Sequence, residues 1–352
     1  MKLLIITQKY DINDSNLGVF IDWWDKLAEK MEKVYILALE KRSEPIKSNV
    51  GVVSIGKEKG AGFLRKIIGF YAGLFKIIGE TDAILVHMIP KYVILAAPVA
   101  FIFRKPIHMW YTGVSVHWQL KFAVMLCKKI FTAHEAAMRI NTPKRVVTGH
   151  GIDVEKFKIG DFRLKNSGLI TILSVGRITP SKGHDLIIKA VSDLIKSGYN
   201  LRLKIIGGII QDYHRGYLES LKKLASDLKI SEAVEFSGPV FYDKMPEYFG
   251  KSEILINAVP FGGLDKVVLE AMASGVIPLT SNSAFLTVFP KSIAQDLIFG
   301  IGDIEDLKNK FKNILDKKLY QNEDLRRELG DIVTRNHNLY NLISRIVKEI
   351  KL

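Results

Sequence analysis

Short apolar runs alternate with helical patterns twice along this chain, with a polar connection between the two series. The first series reads Leu3–Thr7 as strand, Phe20–Met31 as helix and Val34–Leu39 as strand, then strands at Ala83–Val86, Ile107–Trp110 and Arg145–Thr148. Val154–Ser167 is polar and without clear period, and reads as an interdomain connection. The second series reads Leu169–Val175, Leu201–Ile206, Ala233–Phe236 and Ile254–Ala258 as strands, with helices over Lys182–Lys196 and Tyr213–Lys229. Strand–helix alternation of this kind predicts parallel sheets covered on both faces. Two doubly wound, Rossmann-like α/β domains facing a deep interdomain cleft are therefore expected, with ligands at the carboxyl ends of the strands. The boundaries read 1–160 and 161–328, with 329–352 as a C-terminal helix packing back across both domains.

At 352 residues the chain is long for one core, which agrees with two domains. One cysteine, Cys127, excludes an intramolecular disulfide and a multi-cysteine metal site, and reads as a buried thiol in a reducing, cytoplasmic setting. MKLLIIT turns polar at once, too short an apolar run for a signal peptide. Tyr92–Phe103 is the most apolar stretch but falls short of a bilayer span and contains Pro98, so a buried helix is expected.

The net charge of +14 is uneven. Residues 1–160 hold 24 Lys+Arg against 14 Asp+Glu, leaving 27 against 23 for the rest. Such an excess draws anionic partners. Gly62–Gly79 interleaves Arg65, Lys66 and Lys76 with large apolar residues. This is either an interfacial helix or a core helix with a basic edge, since both need the same apolar stripe. No recognition motif accompanies the charge, so no nucleic-acid partner is expected.

Two segments carry candidate chemistry. In SVGRITPSKGHD, Arg177 and Lys182 flank the crossing from a strand to a helix, with Pro180 and Gly183 shaping the turn. A guanidinium fork and a mobile ammonium there suit two phosphates and the charge of a leaving diphosphate, or else they are solvated surface. In ILINAVPFGGLDKVVLEAMASGVIPLTS, a glycine loop lies between a strand and a helix. Glu270 sits among Val267, Val268, Leu269, Ala271 and Met272. It is either partly exposed on an amphipathic helix, or it faces a ligand or donor that offsets its burial. Asp265 directly precedes the helix and is a candidate N-cap. HExxH, DxD and clustered His/Asp patterns are absent, so no metal or other cofactor is implied. Gly-x-Ser-x-Gly is absent, and no Gly-x-Gly-x-x-Gly follows the first strand.

Taken together, these residues resemble glycosyltransferase family 4, the retaining, nucleotide-sugar-dependent transferases of GT-B architecture. SVGRITPSKGHDLIIKAV is similar to the family's phosphate-binding motif, VEFSGPV to its nucleobase strand and loop, VVLEAMASGVIPL to its most recognisable helix and strand, and GHGIDVEKF to its hinge. The matches cover most of 145–282; MKLLIITQKYD and NLGVF are compatible with the family.

By resemblance, Arg177 and Lys182 bind the donor diphosphate, Glu270 accepts from the ribose, the backbone around Gly238 and Val240 meets the base, and Gly18 lets the first domain approach. The family carries a second glutamate eight positions before Glu270, where this chain has Gly262. That departure puts the contact to the transferred sugar on Gly262, Gly263 and Asp265, Asp265 being the nearest substitute carboxylate, with Lys266 beside it. His87, at a strand end, is placed by resemblance near the reacting sugar, or else is a core residue. His117 and His150 come next, His150 as a residue that orders the hinge.

The resemblance implies hexosyl transfer from a nucleoside diphosphate sugar to a hydroxyl of a lipid-linked or envelope glycan, without metal. Peripheral contact with an anionic membrane on its cytoplasmic face follows from the basic first half. An inactive sugar-nucleotide-binding protein of the same fold is the rival that Gly262 motivates.

Overall fold

The computed structural model describes residues 1–14, 17–158, 168–209, 214–259 and 262–351. They divide into two compact units, Met1–Gly151 with Asn338–Leu352, and Ile152–His337. The units part at Gly151 where the sequence pattern puts 160, and the chain returns to the first unit at Asn338.

The first unit is built on seven parallel strands: β1 (Lys2–Tyr10), β2 (Lys33–Lys41), β3 (Val50–Ser54), β4 (Ala83–His87), β5 (Ile107–Trp110), β6 (Lys129–Thr132) and β7 (Arg145–Val147). Their order is β3-β2-β1-β4-β5-β6-β7, reversing direction between β1 and β4. Both faces are covered, which is why β1 reads as an unbroken apolar run. Leu3 and Ile5 point into one core layer, completed by α1 (Val19–Ala28) and α12 (Leu339–Lys351). Leu4 and Ile6 point into the other, under α2 (Phe63–Ile78), α3 (Pro90–Ile102) and α4 (Trp118–Leu126). Each fully buried aliphatic or Phe side chain there contributes about 1.5–3 kcal/mol.

Helix α3 corrects one expectation. It starts with Pro90 at its first turn, a position needing no N–H, and Pro98 is accommodated inside it. Tyr92, Val93 and Ala96 are buried, yet Phe101, Ile102 and Phe103 at its end are exposed. Cys127 caps α4 and is buried, with its thiol pushed up to about 12 by burial.

The second unit has five parallel strands: β8 (Ile170–Val175), β9 (Leu201–Ile206), β10 (Val234–Gly238), β11 (Ile254–Asn257) and β12 (Ile277–Thr280). Their order is β10-β9-β8-β11-β12, with the switch between β8 and β11. Between and after them run α6 (His184–Lys196), α7 (Arg215–Asp227), α8 (Met245–Phe249), α9 (Lys266–Ala273), α10 (Ile304–Asp316) and α11 (Glu323–Asn336).

The expected polar connection from Val154 is not featureless at its start. Val154–Phe157 form a short helix, α5, capped by Asp153, and Val154 and Phe157 bury into the second unit's core. The rest of that connection, 159–167, lies outside the described residues, as does Tyr213 at the expected start of α7.

Candidate functional site

The carboxyl ends of β10, β9, β8, β11 and β12 lie side by side in the second unit, and the glycines there are set by close backbone approach. A Cβ on Gly207, just past β9, would stand 1.7 Å from the Gly176 carbonyl oxygen past β8. Gly183 has φ +60 and would bring a Cβ 2.7 Å from that of Ala258, past β11. The turn Pro180–Gly183 therefore lies flat against the switch point between β8 and β11.

A buried histidine fixes this turn. His184, the first residue of α6, has Nδ1 2.9 Å from Ser174 Oγ and Nε2 3.2 Å from the Arg177 carbonyl oxygen. Burial pushes its pKa down to about 4, so the ring is neutral and links strand end to loop. Arg177 is thus anchored by its backbone, while its exposed guanidinium has no carboxylate partner among the described residues.

Lys182 Nζ lies 3.9 Å from Asp265 Oδ1, with both side chains about one-fifth exposed. Asp265 occupies the N-cap position of α9 but makes no capping hydrogen bond. Instead, Asn282 Nδ2 donates to Asp265 Oδ2 at 2.9 Å and to the Gly263 carbonyl at 2.7 Å. Thr280 Oγ1 accepts from the Asn282 N–H at 3.1 Å and donates to Asn257 Oδ1 at 2.9 Å, tying β12 to β11. Burial raises the Asp265 pKa, opposed by Lys182 and by the Asn282 bond. The expected cap is therefore replaced by an ion pair across the switch point. A Cβ on Gly262 meets nothing within 4 Å among the described residues. Phe261, also in this loop, lies outside the described residues.

Glu270 is buried, which settles its exposure against a partly solvated helix face. Its Oε1 lies 3.9 Å from Lys266 Nζ and has no hydrogen-bond partner among the described residues. Lys266 Nζ stands 4.7 Å and Lys156 Nζ 5.0 Å from the centre of the Tyr242 ring. Burial raises the Glu270 pKa, opposed by Lys266, Tyr242 and Lys156. Two ammonium groups and a phenol thus surround one carboxylate. Gly238, with φ +69, ends β10, accepts from the Gly207 N–H at 2.9 Å, and a Cβ on it would meet nothing within 4 Å among the described residues. Val240, two residues on, packs partly buried against the core. Tyr242, Lys156, Asn282 and His184 were not singled out from sequence. Asn282 and His184 sit just past a strand or at a helix start, but only the fold brings them to these partners.

In the first unit, Gly18 is demanded by its own loop. A Cβ there would meet the Asp14 carbonyl oxygen at 2.6 Å and that of Ile12 at 2.8 Å. Lys9 braces this loop through Asp14 at 2.7 Å and Asp11 at 3.2 Å. His87 ends β4, 2% exposed, with Nδ1 3.2 Å from Thr7 Oγ1. Phe20, Trp24 and Trp110 enclose its ring, Phe20 at 4.1 Å between centroids. Burial lowers its pKa to about 3, so it is a neutral ring in an aromatic box. His117 caps α4, its Nδ1 accepting from the Leu120 N–H at 3.2 Å. His150 is buried against Trp110, between Gly149 (φ +79) and Gly151 (φ +70), where the units part. No group of three His, Cys, Asp or Glu suited to a metal ion occurs among the described residues.

The sequence profile of the glycosyl transferases group 1 matches residues 156–332, half of the chain. The chain belongs to the glycosyl transferases group 1 family. Every element from β8 to α10, and with them both cation-bearing loops, lies within that match. Curated relatives of this group 1 member cover smaller pieces. A GDP-Man:Man(3)GlcNAc(2)-PP-Dol alpha-1,2-mannosyltransferase of Caenorhabditis elegans is 32% identical over 139 residues, 37% of this chain and 30% of its own length. A D-inositol 3-phosphate glycosyltransferase of Streptomyces scabiei is 28% identical over 173 residues, 45% of this chain and 39% of its own length. The chain spans well under half the length of these relatives. Among solved structures, Anabaena Alr3699/HepE in complex with UDP covers all of both chains with a TM-score of 0.78 at 14% identity. A sucrose-phosphate synthase from Thermosynechococcus elongatus gives 0.76, also at 14%, over 100% of this chain and 98% of its own. These likenesses establish the GT-B type of fold, with its two parallel-sheet units.

Proposed function

We propose that this group 1 family member is a retaining hexosyl transferase. It moves a sugar from a nucleoside diphosphate held by the second unit to a hydroxyl of a lipid-linked or envelope glycan taken up by the basic first unit. The observation that carries the reading is a pair of charges in the second unit: the Arg177 guanidinium, without a carboxylate partner among the described residues, and the buried Glu270, whose Oε1 meets Lys266 Nζ only at 3.9 Å. A nucleoside diphosphate satisfies both, its phosphates taking Arg177 and Lys182 and a ribose hydroxyl donating to Glu270. Gly238 and Val240 offer backbone to the base.

In the transfer, the bond between the sugar's anomeric carbon and the leaving phosphate oxygen breaks. The acceptor oxygen bonds to that carbon on the same face, and the acceptor's proton passes to the departing diphosphate. Arg177 and Lys182 stabilise the charge that develops on it, so no enzyme nucleophile is required. His87, boxed by aromatic rings, is assigned packing rather than proton transfer. Relatives are named for GDP-mannose and a structural neighbour holds UDP, so those two bases are tested first.

A panel of UDP-, GDP- and ADP-sugars read by thermal shift tests the proposal. At a hundred times Kd a bound donor adds about 2.7 kcal/mol of stability. No shift with any donor, or an unchanged shift in Arg177→Ala/Lys182→Ala, sinks it. Gly262, standing where the family has a glutamate, favours a second reading, a sugar-nucleotide-binding protein without transfer. Binding without turnover or slow donor hydrolysis would select that one.

A further inference from the structure

Helices α2, α3 and α4 all cover the same face of the first unit's sheet, and each carries large apolar side chains on its outer side as well as its inner one. On α2, Phe70, Leu74 and Ile77 are buried, as an ordinary covering helix requires. Leu64, Ile68 and Phe75 form a second stripe, lying within about 40° of one another on the helical wheel, and Leu64 and Ile68 are 71% and 62% exposed. On α4, Leu120, Ala123 and Val124 are buried, while Trp118, Phe122 and Met125 stand exposed at i, i+4 and i+7. The end of α3 joins the two, with Phe101 86% exposed and the Phe103 ring 6.3 Å from that of Phe75. The opposite face has no counterpart: on α1 and α12 the exposed large apolar side chain is Tyr340 alone.

The charge of this face selects its occupant. The three helices contain Arg65, Lys66, Lys76, Lys91 and Lys121 and no Asp or Glu. Arg104 and Lys105 follow shortly after α3, and Glu80 shortly after α2. A second copy of the chain docked face to face would oppose cation to cation. Exposed apolar side chains on three helices whose charged residues are all cationic fit an interface that supplies both hydrocarbon and negative charge. No helix among the described residues is long and apolar enough to cross a membrane.

We propose that the outer surface of α2, the end of α3 and α4 is a docking face for an anionic lipid bilayer, with Leu64, Ile68, Phe75, Phe101, Trp118 and Phe122 entering the headgroup region. It is independent of the donor reading, because docking needs no sugar nucleotide.

Trp118 reports on this face by itself. It is 68% exposed, whereas Trp23, Trp24 and Trp110 are each 1% exposed. The test mixes the full chain, at low salt, with vesicles of phosphatidylglycerol and phosphatidylcholine, some carrying brominated acyl chains, and repeats it with phosphatidylcholine alone. Expected are co-sedimentation with the anionic vesicles, a blue shift and bromine quenching of emission that Trp118→Tyr removes, and partition at least ~10-fold weaker for Ile68→Glu/Phe122→Glu. An unchanged thermal midpoint shows that the double variant is folded, and the quenching measurement needs no variant. The proposal is overturned if the wild-type chain stays in the supernatant, if it binds without quenching of Trp118, or if the folded double variant binds as tightly. It is equally overturned if the face instead mediates dimers that the double variant dissolves.

Discussion

Removing Lys182 should weaken both the second unit and its hold on a diphosphate, and the two losses can be measured apart. At 3.9 Å from Asp265 and an effective dielectric near 20, the bare attraction is about 4 kcal/mol. Both side chains keep about one-fifth of their exposure, so water screens part of this and desolvation cancels more. A coupling of ~1–2 kcal/mol is expected from a cycle of Lys182→Ala, Asp265→Asn and the double variant in urea unfolding. The sign with pH follows from Asp265. Its folded pKa is raised by burial and held back by Lys182 and Asn282, so losing Lys182 raises it further. The folded state then takes up a proton more readily than the unfolded chain. The stability deficit of Lys182→Ala should therefore shrink as pH falls through the folded pKa of Asp265. Separately, calorimetric binding of UDP or GDP, whichever the wild type takes, should weaken about 10–100-fold, the worth of one charge-assisted contact. Unchanged nucleotide affinity, or stability effects that simply add, would refute the assignment of Lys182 to both jobs.

Three further outcomes follow from the same geometry. Gly207→Ala should cost more than ~3 kcal/mol or prevent folding, because its Cβ would overlap the Gly176 carbonyl at 1.7 Å; a soluble variant with a near-native urea midpoint would count against this packing. Gly262→Glu should change stability by less than ~0.5 kcal/mol, since no described residue lies within 4 Å of a Cβ there; a large loss would show that the loop is closed. Acid should destabilise the chain between pH 6.5 and about 4, because His87, the fully buried His108 of β5 and His184 are held neutral by burial at about 3, 4 and 4. The folded state resists protons that the unfolded state accepts, so stability is full above 6.5 and falls by up to about 3 kcal/mol per histidine as pH drops. A flat urea midpoint from pH 7 to 4.5 would contradict it.

The strands were legible because parallel sheets covered on both faces need unbroken apolar runs, and Leu3–Thr7 and Ile254–Ala258 are such runs. The loop carrying Arg177 and Lys182 was legible because strand, glycine and helix follow one another directly. Asp265 was only half legible. Its position before α9 marks a cap, but whether a side chain turns to the helix or to Lys182 depends on where β8 and β12 place Lys182 and Asn282, and sequence spacing carries no such distance. The same limit hid Tyr242 and Lys156, 86 residues apart in the chain yet meeting at one ring. Phe101 and Ile102 misled for another reason: an apolar run near a helix end predicts burial equally well when the helix outruns its sheet.

If this family member transfers a sugar as proposed, the glycine loop carries the sharpest constraint on which one. Asp265 cannot freely replace a carboxylate at 262, because one of its oxygens accepts from Asn282 and the other faces Lys182. Turning it toward a sugar would break its bond from Asn282, the amide that also donates to the Gly263 carbonyl, and would take the Asp265 carboxylate away from Lys182. On the proposed reading, a transferred sugar meets either the space beside Gly262 or a cation, Lys182 or Lys266, that already has a carboxylate within 4 Å. The first makes few polar contacts and discriminates weakly among hexoses. The second gains strength only for a sugar bearing its own negative charge. If Gly262→Glu sharpens discrimination among neutral donors without loss of stability, the space beside Gly262 is where the sugar lies; if it abolishes binding of a charged donor while neutral donors are unaffected, the cations are.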